Sequence, residues 1–182
     1  MYNAIGFYTF FIFMVSYLRH YTHFSLASIY TINTLSILVL MGFMPISGML
    51  SDRFSPKTVI ITMAILMAIL LYPLFYLLTL NQLWLVVIAI LCIAIVFGLT
   101  QGSLPGVFAN LFPMEVRASG LSISFNISNA IFGGTAPYFA TWIIGHTGSY
   151  HGLLNYIILA AILFVVTAIY LSRDLLNGAG SA

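Results

Sequence analysis

Long apolar runs, each broken by a few polar or helix-bending residues, follow one another along the whole chain and are joined by short polar connectors. A helix needs about 20 mostly apolar residues to cross a bilayer. Six segments reach or approach that length: residues 3–18, 26–50, 58–78, 83–106, 119–144 and 153–171. The first is the shortest, as expected of a chain that begins just inside a longer parent helix. The pattern predicts an all-α membrane protein with six transmembrane helices in one domain, 1–175. A flexible tail, 176–182, follows, and its Gly178-Ala179-Gly180-Ser181-Ala182 end has the composition of a linker.

The spans differ in where they carry polar groups. The third and sixth are almost uniformly aliphatic, which suits a lipid-facing position. In the fifth, Ser122, Asn126, Asn129, Gly133 and Pro137 recur at intervals of four, three, four and four residues, which stacks them along one helical face. Amides near the middle of a membrane helix are costly unless they meet hydrogen-bonding partners or a water-filled cavity. The first span adds Tyr8, Thr9 and Ser16, the second Ser28, Tyr30, Thr31, Asn33, Thr34 and Ser36, and the fourth Thr100, Gln101 and Ser103. Two accounts of these groups stay open: interhelical hydrogen bonds, worth about 0.6–2 kcal/mol each, or the wall of a solute cavity. Glycine and proline punctuate the same spans, at Gly42, Pro45, Gly48, Pro73, Gly98, Gly102, Pro105, Gly133, Gly134 and Pro137. They serve close packing and kinking, or helices that rock during a cycle.

Composition removes the soluble alternative. Hydrophobic residues make up 62% of the chain and charged ones 4%, with a mean hydropathy of +1.12. A soluble domain carries roughly 25% charged residues to wet its surface. The few charges also orient the chain. Arg53 and Lys57 follow the second span, Arg117 the fourth and Arg173 the sixth, whereas only Arg19 lies on the other side. The basic excess marks the cytoplasmic side, so both termini are predicted to be cytoplasmic. Five scattered basic residues form no run for nucleic acid. One cysteine, Cys92, permits neither an intramolecular disulfide nor a paired-cysteine metal or redox motif. A cleaved signal peptide is not indicated, because the N-terminus lacks a basic start and a small-residue cleavage site. No nucleophile–base set, metal cluster or phosphate loop points to an enzyme, and no cofactor is implied. No Asp, Glu, Lys or Arg lies inside any span, so the chain itself offers no intramembrane carboxylate for proton coupling. His20, His23, His146 and His151 fall in or beside the outer loops and read as solvated loop residues.

Two inner loops are more specific. Gly48-Met49-Leu50-Ser51-Asp52-Arg53-Phe54-Ser55-Pro56-Lys57 resembles the short signature of the major facilitator superfamily. There a Gly-x-Leu-small-Asp-Arg run leads to a second glycine and a basic pair, after the second helix of each six-helix half. Ser55 stands where that second glycine is usual and Pro56 where one basic residue is usual, as in the weaker copy of C-terminal halves. The second loop, Leu111-Phe112-Pro113-Met114-Glu115-Val116-Arg117-Ala118-Ser119-Gly120, runs on through Asn126 to Phe132-Gly133-Gly134-Thr135-Ala136-Pro137. It is similar to the loop and eleventh helix of the metabolite:proton symporter branch, which includes proline/betaine, α-ketoglutarate, shikimate and citrate transporters.

The resemblance implies helices seven to twelve of a major facilitator fold, built as two inverted three-helix repeats. It implies a cavity lined by Asn126 and Asn129, with Tyr8, Asn33 and Gln101 as further candidates. Gly48, Asp52, Arg53, Lys57, Glu115 and Arg117 become an inner-loop latch, and Gly133, Gly134 and Pro137 helix-packing positions. The implied function is half of a secondary active transporter for a small polar metabolite or osmolyte, proton-coupled in its complete form, in the bacterial inner membrane. The expected partners are the lipid bilayer, the solute, protons and a second six-helix half, supplied by another chain or by a second copy. The alternative is a non-transporting remnant or an interaction subunit from a truncated or split gene.

Overall fold

The computed structural model describes residues 2–109 and 114–178, and every regular element among them is helical. Leu111, Phe112 and Pro113 of the second loop motif, and the end of the tail at 179–182, lie outside the described residues. Helix α1 (2–21) runs through Tyr2–Phe7, Tyr8–Phe13 and Met14–Tyr21. Helices α2 (Leu26–Phe54), α3 (Pro56–Thr79) and α4 (Leu83–Ala109) follow. Helix α5 (117–147) runs through Arg117–Ser128, Asn129–Gly133 and Gly134–Thr147, and α6 is His151–Gly178. Three of these are long and apolar enough to cross a membrane: Leu26–Phe54, Pro56–Thr79 and Leu83–Val107, with mean hydropathies of 1.7, 2.4 and 2.9. A shorter apolar stretch, His151–Thr167, lies in α6.

Helices α1 and α5 are each interrupted by a π-helical segment, Tyr8–Phe13 and Asn129–Gly133. At the end of each, the Met14 N–H donates to the Thr9 carbonyl and the Gly134 N–H to the Asn129 carbonyl, five residues back instead of four. Such segments insert an extra residue into an α-helical turn. One residue is about 100° of rotation, so the face that regular spacing predicts along α5 is turned part-way. Ser122 and Asn126 are exposed, whereas Gly133 is buried.

The helix ends follow local chemistry. Ser25 caps α2, its hydroxyl accepting from the Ser28 N–H at 3.2 Å. Ser55 separates α2 from α3 with φ 72° and ψ 141°, and Pro56 opens α3 at its first position. Gly148 ends α5 in the left-handed conformation, φ 61°, donating to the Ile144 carbonyl at 2.9 Å.

Lipid tails are as apolar as these side chains, so close packing and interhelical hydrogen bonds carry most of the association. The tightest seam joins α2 to α4. A Cβ on Gly98 would lie 2.6 Å from the Leu40 carbonyl oxygen, and one on Gly102 would collide with the Met44 carbonyl oxygen. Beside them Ser103 Oγ meets Ser47 Oγ at 2.5 Å and receives a hydrogen bond from Ser51 Oγ at 2.7 Å. Ser47 Oγ also donates to the Leu99 carbonyl. The core beyond this seam is aromatic: Phe10, Phe11 and Tyr17 of α1 gather around Phe97 of α4 and Phe75 of α3. Helix α6 closes the far side with Leu153, Leu154, Ile157, Ala160 and Ala161, and Tyr2 stacks on Phe164. Helices α3 and α6 each bury one face and leave an aliphatic face open, with Ile65 and Ile69 on α3 and Leu159 and Val166 on α6.

Candidate functional site

The two π segments meet where Tyr8 lies on Gly133, and each otherwise packs mainly on the α-helical part of the other helix, Tyr8–Phe13 on Gly134–Thr147 and Asn129–Gly133 on Tyr2–Phe7. The Tyr8 ring covers Gly133 so closely that a Cβ there would lie 2.6 Å from Tyr8 Cε2. Only glycine at 133 lets the ring approach the α5 backbone. Asn129 opens the α5 π segment and is partly buried, and Asn126 lies one turn earlier, fully exposed. No residue of Arg117–Ser128 is fully buried, and Asn126 is among its exposed residues. Neighbouring Thr9 is wholly buried, and its hydroxyl finds no hydrogen-bond partner among the described residues.

Two cavities flank this level. Toward the C-terminal ends of α1 and α5 lies one of about 570 Å³, lined by Phe13, Ser16, Tyr17, His20 and Tyr21 of α1 and by Thr141 of α5. A smaller one of about 290 Å³ adjoins it, sharing Tyr17 and Tyr21 and adding Tyr150. On the opposite side, a cleft of about 380 Å³ lies between α2, α4 and α5, lined by Met44, Gln101, Leu104, Pro105, Ser122 and Phe125. No Lys, Arg, Asp or Glu lines any of these three spaces.

The predicted site residues therefore divide. Tyr8 and Gly133 come together where the π segments meet, and Asn129 opens the α5 segment four residues before Gly133. Gln101 joins Ser122 in the lower cleft instead. Asn33 is partly buried on α2, its carbonyl accepting from Ser36 Oγ at 2.7 Å, and lines none of the three spaces. Gly134 faces open space, and Pro137 is partly buried within α5. Among the loop residues, Asp52 and Arg53 are exposed at the end of α2, and the Arg53 guanidinium sits over the Phe54 ring at 5.4 Å. Lys57 is the second residue of α3, Gly48 has nothing near it, Glu115 is exposed in the turn before α5, and Arg117 begins that helix.

Sequence reasoning missed the aromatic lining of the 570 Å³ cavity. Phe13, Tyr17 and Tyr21 recur four residues apart, a spacing that places them on one face of α1. It also treated Gly98 and Gly102 separately, although their four-residue spacing is the known signal for close helix approach.

The family model described as Major Facilitator Superfamily matches residues 1–179. The chain belongs to the major facilitator superfamily. It is an integral membrane protein of that family, and its curated relatives are transporters. It is 29% identical over 132 residues to a citrate-proton symporter of Klebsiella pneumoniae, covering 72% of this chain and 30% of that protein. A glycine betaine/proline/ectoine/pipecolic acid transporter of Dickeya dadantii is 26% identical over 71% of this chain and 26% of its own length. The proline/betaine transporter of Escherichia coli K12 is 26% identical, covering 69% of this chain and 25% of that protein. The chain thus spans between 25% and 30% of the length of these three relatives. No solved structure matches it significantly.

Proposed function

We propose that this superfamily member is the C-terminal six-helix half of a secondary active transporter that moves a small polar metabolite or osmolyte, proton-coupled in its complete form. All six helices cross the membrane in this account, α1 and α5 as spans broken by their π segments, arranged as two inverted three-helix repeats. The observation that carries it is the contact of those π segments through Tyr8 and Gly133. Irregular helix in a membrane is tolerated where it is buried in protein or lines a water-filled space, and π segments recur at functional sites. Here Tyr8 lies on Gly133 of the segment that Asn129 opens, next to a stretch of α5 with no fully buried residue. Asn126 and Asn129 then face the solute path, Tyr8 walls it, and Asn33 and Gln101 stand on the helices that flank it.

That open face is also the surface against which a second six-helix half would rock. It would come from another chain, a second copy or the remainder of a longer polypeptide. Asp52, Arg53, Lys57, Glu115 and Arg117 form the inner latch of that contact, with Gly48 beside it. Gly133, Gly134 and Pro137 shape the rocking helix. The placement of Arg53, Lys57, Arg117 and Arg173 orients both termini to the cytoplasm of a bacterial inner membrane. None of the three described cavities carries a cationic side chain, so a zwitterion suits them better than a di- or tricarboxylate.

Cysteine accessibility tests the path. In a Cys92→Ser background in native membranes, Asn126→Cys should react with a charged, membrane-impermeant thiol reagent at least about tenfold faster than Ile65→Cys on the aliphatic face of α3, since a thiol in lipid stays protonated. Equal, slow reaction at both positions would place Asn126 in lipid and contradict the proposal.

A further inference from the structure

The cavity of about 570 Å³ begins at Phe13, the last residue of the α1 π segment, and extends away from the Tyr8–Gly133 contact. Ser16 lies eight residues beyond Tyr8, and Thr141 eight beyond Gly133, which is about 12 Å further along each helix. Its volume falls within the range of small-molecule sites, about 300–1,000 Å³.

Its chemistry is selective. Tyr17 and Tyr21 stack at 4.8 Å between ring centroids, and Phe13 lies 6.3 Å from Tyr17. Tyr17 is 6% exposed and Tyr21 55% exposed. One face of the Tyr21 ring is thus covered by a fixed neighbour and the rest of it is left open. Ser16 and Thr141 contribute hydroxyls and His20 an imidazole, with no carboxylate and no Lys or Arg in the lining. Aromatic faces attract a diffuse organic cation through the ring quadrupole, with Tyr a good donor of that field. The absence of a carboxylate removes the partner that a compact, strongly hydrated metal cation or primary ammonium would need. Hydroxyls and imidazole N–H supply donors for a negatively charged tail.

We propose that this cavity is a second binding site, at the end of the molecule opposite the charged loops, for a small solute bearing an alkylated ammonium group. The ammonium sits against Tyr21 and Phe13, and any carboxylate it carries is held by Ser16, Thr141 and His20. The site rests on the transporter reading only for its role as a staging point. Binding itself is a property of this chain.

The test is ligand-detected NMR with the intact chain in lipid nanodiscs, using choline and trimethylglycine as probes and 3,3-dimethylbutan-1-ol as the neutral match for choline. Choline should bind at least about fivefold more tightly than the alcohol. Tyr21→Leu should weaken choline about 5- to 30-fold, the range that a cation–ring contact supports, while Tyr21→Phe keeps most of the affinity. Tyr21 is exposed, so its variants should retain the helical circular dichroism of the parent. Equal affinity for choline and the alcohol, no binding by folded protein, or indifference to Tyr21→Leu would each overturn the site. Dependence on Asn129 instead of Tyr21 would also overturn it, by moving binding to the π segments, and would leave the transport proposal standing.

Discussion

Ser55 sits in a backbone conformation that belongs to glycine. Its φ of 72° with ψ of 141° crowds a Cβ against the neighbouring peptide, a cost of about 1–3 kcal/mol for a residue with a side chain. The same position is where the superfamily's inner-loop signature usually has glycine. The signature's glycine thus has a local cause: the chain must reverse between α2 and α3 with Pro56 already fixed in helical φ. Ser55→Gly is expected to stabilise the protein by about 1 kcal/mol, with gains in the folded conformation exceeding the added freedom of the unfolded chain. A chemical unfolding titration in mixed micelles would read this as a shift of the midpoint to higher denaturant, and an unchanged or lower midpoint would contradict it. The charged residues of this loop were legible in the sequence because they interrupt an apolar run. The strain at Ser55 was legible only as a departure from a pattern.

Helices α1 and α5 show where sequence patterns lose their grip. Their polar residues were visible, but nothing in the residue types of Tyr8–Phe13 or Asn129–Gly133 announces a π segment. The extra residue turns the later part of α5, so Gly133 packs inward on Tyr8 while Asn126 stays exposed. Regular helical spacing had put both on one face. Gln101 was likewise readable as a polar residue of α4, but its position beside Ser122 depends on how α5 leans across the bundle. The aromatic lining of the 570 Å³ cavity was hidden by abundance, since aromatic residues are 15% of the chain. A double-mutant cycle isolates the α1–α5 contact. Gly133→Ala should destabilise by about 1–3 kcal/mol, the usual cost of overpacking, because its methyl meets a ring held by its neighbours. Tyr8→Leu in the same chain should recover much of that loss, whereas Gly134→Ala, with open space around it, should cost under about 0.5 kcal/mol. Equal effects at 133 and 134 would mean that the Tyr8 contact does not form.

At the scale of the whole molecule, three of the six helices satisfy the length and hydropathy of a membrane span without reservation. The α2–α4 seam, with Gly98 and Gly102 against backbone carbonyls and a buried serine cluster beside them, makes that pair a rigid unit. Over Arg117–Ser128, helix α5 has no fully buried residue. In the proposed transport cycle, the α2–α4 pair would move as one body against a second half. The central claim is that this half contributes a path for a small zwitterionic solute. The measurement that bears on it most directly is uptake of labelled proline, trimethylglycine and α-ketoglutarate into proteoliposomes under an imposed proton gradient. The chain would be reconstituted alone and with a separately expressed six-helix partner half. The expected result is saturable accumulation of a zwitterion in preference to α-ketoglutarate, reduced at least about tenfold by Asn129→Ala. Accumulation that is indifferent to Asn129, or none from folded protein in either preparation, would contradict it.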